Sequence, residues 1–266
     1  PRSILQPQRG ATPPATTPLR RQSIDVARRT DPLTLYDYSL SPHGRRLCIL
    51  MREKGLTWQT VDIDLGRLEH KASAFLALNP NGELPVLSHG ARVICDSALI
   101  AEYLDRLYPG VPFYPDDAHL AAQVRMWLAL EAGAHKELRP LFWLHVVRPR
   151  LRAAGIGKED VDAIVPASVD AAQRDWLRSV LAGTPRFDSS EELAREIVRK
   201  KLDVVERRLG GREYLVDRAV TMADVAWFTR VDLLPQLGIA HDRARHPNLL
   251  RWLEHLRARP SFAGAG

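Results

Sequence analysis

Cysteine is nearly absent: the 266 residues contain two, Cys48 and Cys95. Each sits in an apolar run, so no disulfide framework staples this chain, and reduced thiols point to the cytoplasm. Long apolar runs are missing as well. No stretch approaches the roughly 20 residues that cross a bilayer, so no membrane partner is expected. Most of the chain also lacks an excess of either charge. The formal net charge is +6, but residues 1–30 hold six arginines and one acid, Asp25, leaving 32 basic and 31 acidic residues in the rest. A near-neutral body with a basic tail is no nucleic-acid footprint. His135 and His145 fall at no metal-ligand spacing, so no metal is expected.

What is present divides the chain. Residues 1–31 are rich in Pro, Arg, Thr and Gln and poor in apolar side chains. They cannot offset their ordering entropy and read as a disordered basic tail. An Arg-rich, acid-poor leader also has the composition of a transit peptide, but its prolines argue against an amphipathic helix. From Leu33 the pattern runs strand, helix, strand, helix, strand, strand, helix: an α/β unit over residues 32–109 with a mixed sheet. The Pro- and Asp-rich stretch 110–118 reads as a linker. Beyond it, residues 119–266 repeat apolar positions at helical spacing and predict an all-α bundle. Within it, Thr221-Met222-Ala223-Asp224 has the form of a capping box, a structural signal.

The stretch Asn79 to Asp105 carries the chemistry. Pro85 interrupts an apolar run that otherwise reads as a strand; proline cannot donate to a ladder, so the site is an edge, a bulge or a turn, most economically a cis one. Such a turn leaves the Leu84 backbone to pair with an extended peptide. Asp96 and Ser97 then open a helix. They read either as caps or as ligands, Asp96 for an ammonium and Ser97 with the helix N–H groups for a carboxylate. Ser41 stands in the same way at the head of the first helix, with Arg45 four residues on and Arg46 beside it.

Taken together, the pieces resemble the cytosolic glutathione transferases. NPNGELPVL is similar to that family's cis-proline turn, CDSALIAEYLD to its acid-Ser helix start, TMADVAWF to its second-domain capping motif and RHPNLLRWLEHLRARPSF to its final helix. EHKASAFLALNPNGELP is close to the phi-class pattern. The resemblance implies a thioredoxin-like N-terminal domain before the helical bundle, a homodimer and glutathione as co-substrate. It implies Asp96 and Ser97 for the glutamyl end, Leu84 and Pro85 for the cysteinyl amide, and His70 with Lys71 for the glycine carboxylate. Glu83 departs from the family's usual Gln, and an acid there repels a carboxylate unless another group intervenes. The Ser-x-x-x-Arg-Arg spacing resembles the serine-type members, making Ser41 and Arg45 the catalytic pair. Ser39, Tyr36 and Tyr38 are alternative donors. A second, hydrophobic electrophile is expected against Leu40, Pro42, His43, Trp127, Phe142 and Trp143. Ser41-Pro42-His43-Gly44 stands where glutaredoxins carry Cys-x-x-Cys, which argues against dithiol exchange.

Three activities follow as expectations: conjugation, with detoxification as its setting; a glutathione-dependent lyase, β-etherase or dehalogenase; and a non-catalytic binding protein that keeps the fold. The ether-cleaving reading comes from QRDWLRSVLAG (Gln173 to Gly183) and EELAREIVRKKLDVVERRL, which resemble the longer second domains of bacterial β-etherases. Glu83 favours the third.

Overall fold

The computed structural model describes residues 29–166, 169–186 and 190–263. Residues 1–28 of the basic segment lie outside it. Arg29 and Asp31 do not belong to a free tail: Arg29 Nε donates to Leu107 O at 2.7 Å, and Asp31 lies 3.7 Å from Arg92.

The α/β domain begins with β1 (Leu33–Asp37), whose alternating burial sends Leu33, Leu35 and Asp37 to the core side. Then α1 (Pro42–Glu53) starts where Ser41 caps it and Pro42 occupies its first turn, and the chain turns out of it at Gly55, φ 63°. The second strand, β2 (Gln59–Asp62), is a short, exposed edge. It is followed by the single-turn α2 (Ser73–Leu76), by β3 (Val86–His89) and β4 (Arg92–Cys95), and by α3 (Ser97–Leu107). The sheet order is β2-β1-β3-β4, with β1 parallel to β2 and both other pairings antiparallel. This is a thioredoxin-like arrangement.

The second domain is all helical. It consists of α4 (Ala118–Phe142), α5 (Arg148–Ala153), α6 (Val161–Ile164), α7 (Ala171–Ala182), α8 (Glu191–Arg208), α9 (Met222–Leu233) and α10 (Pro247–Arg257). Apolar spacing predicts one helix from Leu120 to Val147. Instead α4 ends at Phe142 and a wider, π-type turn covers Trp143–Val147, just after Pro140 removes one backbone donor. Nearly every residue of α9 is buried, because it packs against α1, α4 and α10 at once. Its capping box is formed: Thr221 donates to Asp224 through both N–H (3.0 Å) and Oγ (2.9 Å), and Asp224 also accepts from Leu215 N and Trp252 Nε1. One hydrophobic core runs through both domains, from Leu35 and Leu47 to Phe228 and Trp252. Among the described residues no helix is long and apolar enough to cross a membrane.

Candidate functional site

A cavity of about 830 Å3 opens between the domains, where the N-termini of α1 and α3 face α4, α7 and α9. Two hydroxyls sit at those N-termini. Ser41 is 7% exposed, and its Oγ accepts from His43 N at 3.2 Å and Gly44 N at 3.4 Å. Both bonds use the oxygen's lone pairs, so the hydroxyl proton stays available to a further acceptor at the cavity that Ser41 lines. Ser97 is buried too, and its Oγ lies 3.3 Å from His43 Nδ1. Asp96 takes φ 74°, a left-handed value that a β-carbon disfavours, and its Oδ1 caps Ala98 N and Leu99 N at 2.8 and 3.1 Å. Capping therefore employs one carboxylate oxygen and leaves the other uncommitted to the cap, on a residue that lines the cavity.

The Leu84–Pro85 peptide is cis, and Leu84 lies outside the ladder, whose first pairs are made by Val86. Leu84, Pro85 and Glu83 line the cavity, as do Pro42, His43, Phe142 and Trp143. His70 and Lys71 line it as well, in an unexpected state. Burial, with Lys71 and Arg139 nearby, lowers the His70 pKa to about 3, so the ring is neutral. It packs on Trp143, ring centres 5.6 Å apart, and neither ring nitrogen has a hydrogen-bond partner among the described residues. Burial also lowers the Lys71 pKa while Glu83 opposes the shift. All three Lys71 N–H donors are engaged, by Asn81 O and Gly82 O at 3.1 Å each and by Gln173 Oε1 at 2.9 Å. The expected pair of cations is one satisfied lysine beside a neutral imidazole.

Three expected residues lie elsewhere. Arg45 pairs with Asp232 and its guanidinium stands 5.1 Å above the Phe228 ring, at the contact between α1 and α9. A helix turns about 100° per residue, and it is Arg46, the next position, that reaches the cavity. Trp127 is 4% exposed and set edge-on to Trp227 in the bundle core, because the α4 face that carries it meets α9. Leu40 packs against the hydrophobic core. Of the thiols, Cys95 is on the cavity lining, whereas burial pushes Cys48 up to about 11.

Residues absent from the expected site complete it. Glu131 on α4 is 1% exposed and clamped between Arg46 NH2 (2.9 Å) and Arg230 NH2 (2.6 Å). The two arginines hold its carboxyl down at about 2 against the opposing effect of burial. Next to this triad, His43 Nε2 lies 3.3 Å from His135 Nδ1 and 3.4 Å from Arg230 NH2. Burial is the main cause that lowers both histidines, His135 to about 3. At the mouth, the exposed Arg139 stacks on Trp176 at 4.4 Å, and Trp176 is set edge-on to Trp143. Among the described residues no hydrogen bond engages Arg139, and Glu83 is the acid whose field it feels. Glu131, His135 and Arg139 recur every four residues along α4 and so share one helix face, a polar stripe legible in the sequence.

The lining carries five cations, Arg46, Lys71, Lys136, Arg139 and Arg230, against three acids, Glu83, Asp96 and Glu131. With the histidines neutral, the surplus is two positive charges. Among the described residues no group of three His, Cys, Asp or Glu side chains could hold a metal ion.

Residues 35–112 match the family described as "Glutathione S-transferase, N-terminal domain", and residues 177–260 match "Glutathione S-transferase, C-terminal domain". Glutathione S-transferase 3 of Zea mays is 31% identical over 87% of this chain and 91% of its own. The chain belongs to the glutathione S-transferase superfamily. Protein LigF of Sphingobium sp. is 27% identical over 86% of this chain and 92% of its own. The crystal structure of β-etherase LigF superposes with a TM-score of 0.76, covering 86% of this chain and 96% of that one, at 23% identity.

Proposed function

We propose that this superfamily member binds glutathione, activates its thiol with Ser41 and directs it at a small hydrophobic electrophile, as a glutathione transferase. The observation that carries this reading is the Ser41 hydroxyl, buried at a helix N-terminus with its oxygen already bonded and its proton available to a thiolate. Asp96 takes the ammonium of the glutamyl end, Ser97 its carboxylate, and the Leu84 backbone the cysteinyl amide. At the glycyl end Arg139 is the carboxylate donor: it has a free planar fork, whereas the Lys71 donors are already used. It also answers the repulsion from Glu83. The charge balance supports the same ligand, since glutathione with an ionised thiol carries two net negative charges and the lining carries two net positive ones.

The electrophile lies over the thiol against Pro42, Phe142 and Trp143, with Trp176 and Leu177 of α7 on the same cavity. A homodimer acting in cytoplasmic detoxification belongs to the same proposal. Calorimetry with glutathione tests it first: absence of binding at millimolar concentration removes every glutathione-dependent reading and leaves a non-catalytic protein. With binding in hand, conjugation of a chlorodinitrobenzene tests turnover. A second reading, glutathione-dependent cleavage of an aryl ether, is favoured by the Trp143–Trp176 pair on the cavity lining, which offers aromatic surface to a flat substrate, and by the likeness to LigF. Phenol release from an aryl-ether probe supports it, and conjugation without ether cleavage rejects it.

A further inference from the structure

His43 touches both hydroxyls of the site. Its backbone N–H holds Ser41 Oγ, while its imidazole reaches Ser97 Oγ through Nδ1 and the helical domain through Nε2. The position of its proton follows from the partner on the far side. Arg230 is always charged and can only donate. Its NH2 group faces His43 Nε2, so Nε2 must present its lone pair; a proton there would set two donors against each other at 3.4 Å. The same lone pair serves His135, whose Nδ1 at 3.3 Å must then carry hydrogen. The imidazole is left neutral with its single proton on Nδ1, and Nδ1–H can only be spent on Ser97 Oγ. Arg230 is in turn fixed by Glu131, through Nε at 2.7 Å and NH2 at 2.6 Å.

We propose that His43 is a positioning residue through which Arg230 and His135 of the helical domain set the Ser97 hydroxyl: Nδ1–H of His43 donates to Ser97 Oγ, so that the Ser97 O–H donates into the cavity, toward a carboxylate. With the opposite tautomer Ser97 would have to spend its own proton on Nδ1 and would offer the ligand only lone pairs, which a carboxylate repels. The helical domain thereby sets a ligand-binding group of the α/β domain to which, among the described residues, it makes no hydrogen bond of its own. The destination of that hydroxyl, the glutamyl carboxylate of glutathione, rests on the function proposed above; the proton placement does not.

The first test needs no ligand. Long-range 1H–15N correlation spectra of the labelled wild-type protein at neutral pH report each imidazole's tautomer. His43 is expected as Nδ1–H, and an Nε2–H or imidazolium pattern overturns the proposal. The second test separates a hydrogen-bond role from a packing role. His43→Asn keeps a side-chain N–H for Ser97 and is expected to bind glutathione within about threefold of wild type. His43→Leu keeps the volume without the donor and is expected to weaken binding about tenfold, about 1.4 kcal/mol. Equal losses in the two variants, or none in His43→Leu, overturn it. A protein that shows the Nδ1–H tautomer but binds no glutathione refutes the proposed function and leaves the proton placement standing.

Discussion

Replacing Ser41 with alanine isolates the step on which the proposed chemistry depends. A free thiol has a pKa of about 8.5, so about three per cent is thiolate at neutral pH. A hydrogen bond to a charged group contributes about 1.5–3 kcal/mol, and a pKa unit corresponds to about 1.4 kcal/mol, so losing the Ser41 hydroxyl raises the bound thiol by about one to two units. The sign fixes the pH dependence. Below the wild-type pKa both thiols are mostly protonated and the variant conjugates about ten- to a hundredfold more slowly; above its raised pKa both are ionised and the rates converge. Ultraviolet titration of the bound thiolate, together with rates across that range, measures the shift directly. The same substitution removes the α1 cap, which costs about 0.5–2 kcal/mol, or a few degrees in Tm. Ser41→Gly separates the effects, since glycine at a helix N-cap costs only about a few tenths of a kcal/mol but supplies no hydroxyl. An unmoved pH profile in Ser41→Ala, or a profile displaced in proportion to Tm in both variants, refutes the role given to Ser41.

The buried histidines govern acid stability: His70 and His135 ionise at about 3 in the folded protein, against about 6.5 unfolded, so the unfolded chain binds more protons between those values. Stability present above pH 6.5 is lost on acidification at about 1.4 kcal/mol per unit for each ring, about 4 kcal/mol for the pair by pH 5, and denaturant titrations in which His70→Phe and His135→Asn leave that slope unchanged would contradict it. Arg139→Met is expected to abolish the preference for glutathione over its glycyl ethyl ester, about tenfold in wild type, while Lys71→Met retains it; calorimetry with both ligands decides. Gly44→Ala puts a β-carbon within 1.4 Å of Asp37 Oδ2, so it should lower stability by about 1–3 kcal/mol and be partly rescued by Asp37→Ala, as read by thermal melting.

The legible parts of the site are those whose chemistry is local. Pro85 announces itself because proline cannot donate to a ladder, and Ser41, Asp96 and Thr221 because a cap bonds to residues two or three positions on. The missed parts are pairings across long sequence distances: Arg46 with Glu131 is separated by 85 residues and Glu131 with Arg230 by 99. The polar stripe on α4 shows that those side chains share a face, but not which arginine meets them. Arg45 and Arg46 exchange roles for a similar reason, since adjacent helical positions point about 100° apart and only the placement of α9 says which looks at the cavity. Trp127 lies on an apolar face either way, and spacing cannot tell a core partner from a ligand. Nor does a His-Lys pair in sequence reveal that the histidine is sealed and therefore neutral.

These long-range pairings explain why the α/β domain alone would be an incomplete binding surface. Its own contribution to the cavity is Arg46 and Lys71 against Glu83 and Asp96, two charges of each sign. Such a surface has the hydroxyls and the open backbone for a peptide but no net attraction for a doubly negative one. The helical domain adds Lys136, Arg139 and Arg230 and a single acid, and that acid, Glu131, is clamped between an arginine from each domain. The positive surplus therefore arises on docking of the two domains, within walls of low dielectric that strengthen it. On the proposed function, packing of α1 against α9 is then part of ligand selection as well as of stability: the Arg46–Glu131–Arg230 clamp that joins the domains also fixes Arg230, and through His43 reaches Ser97.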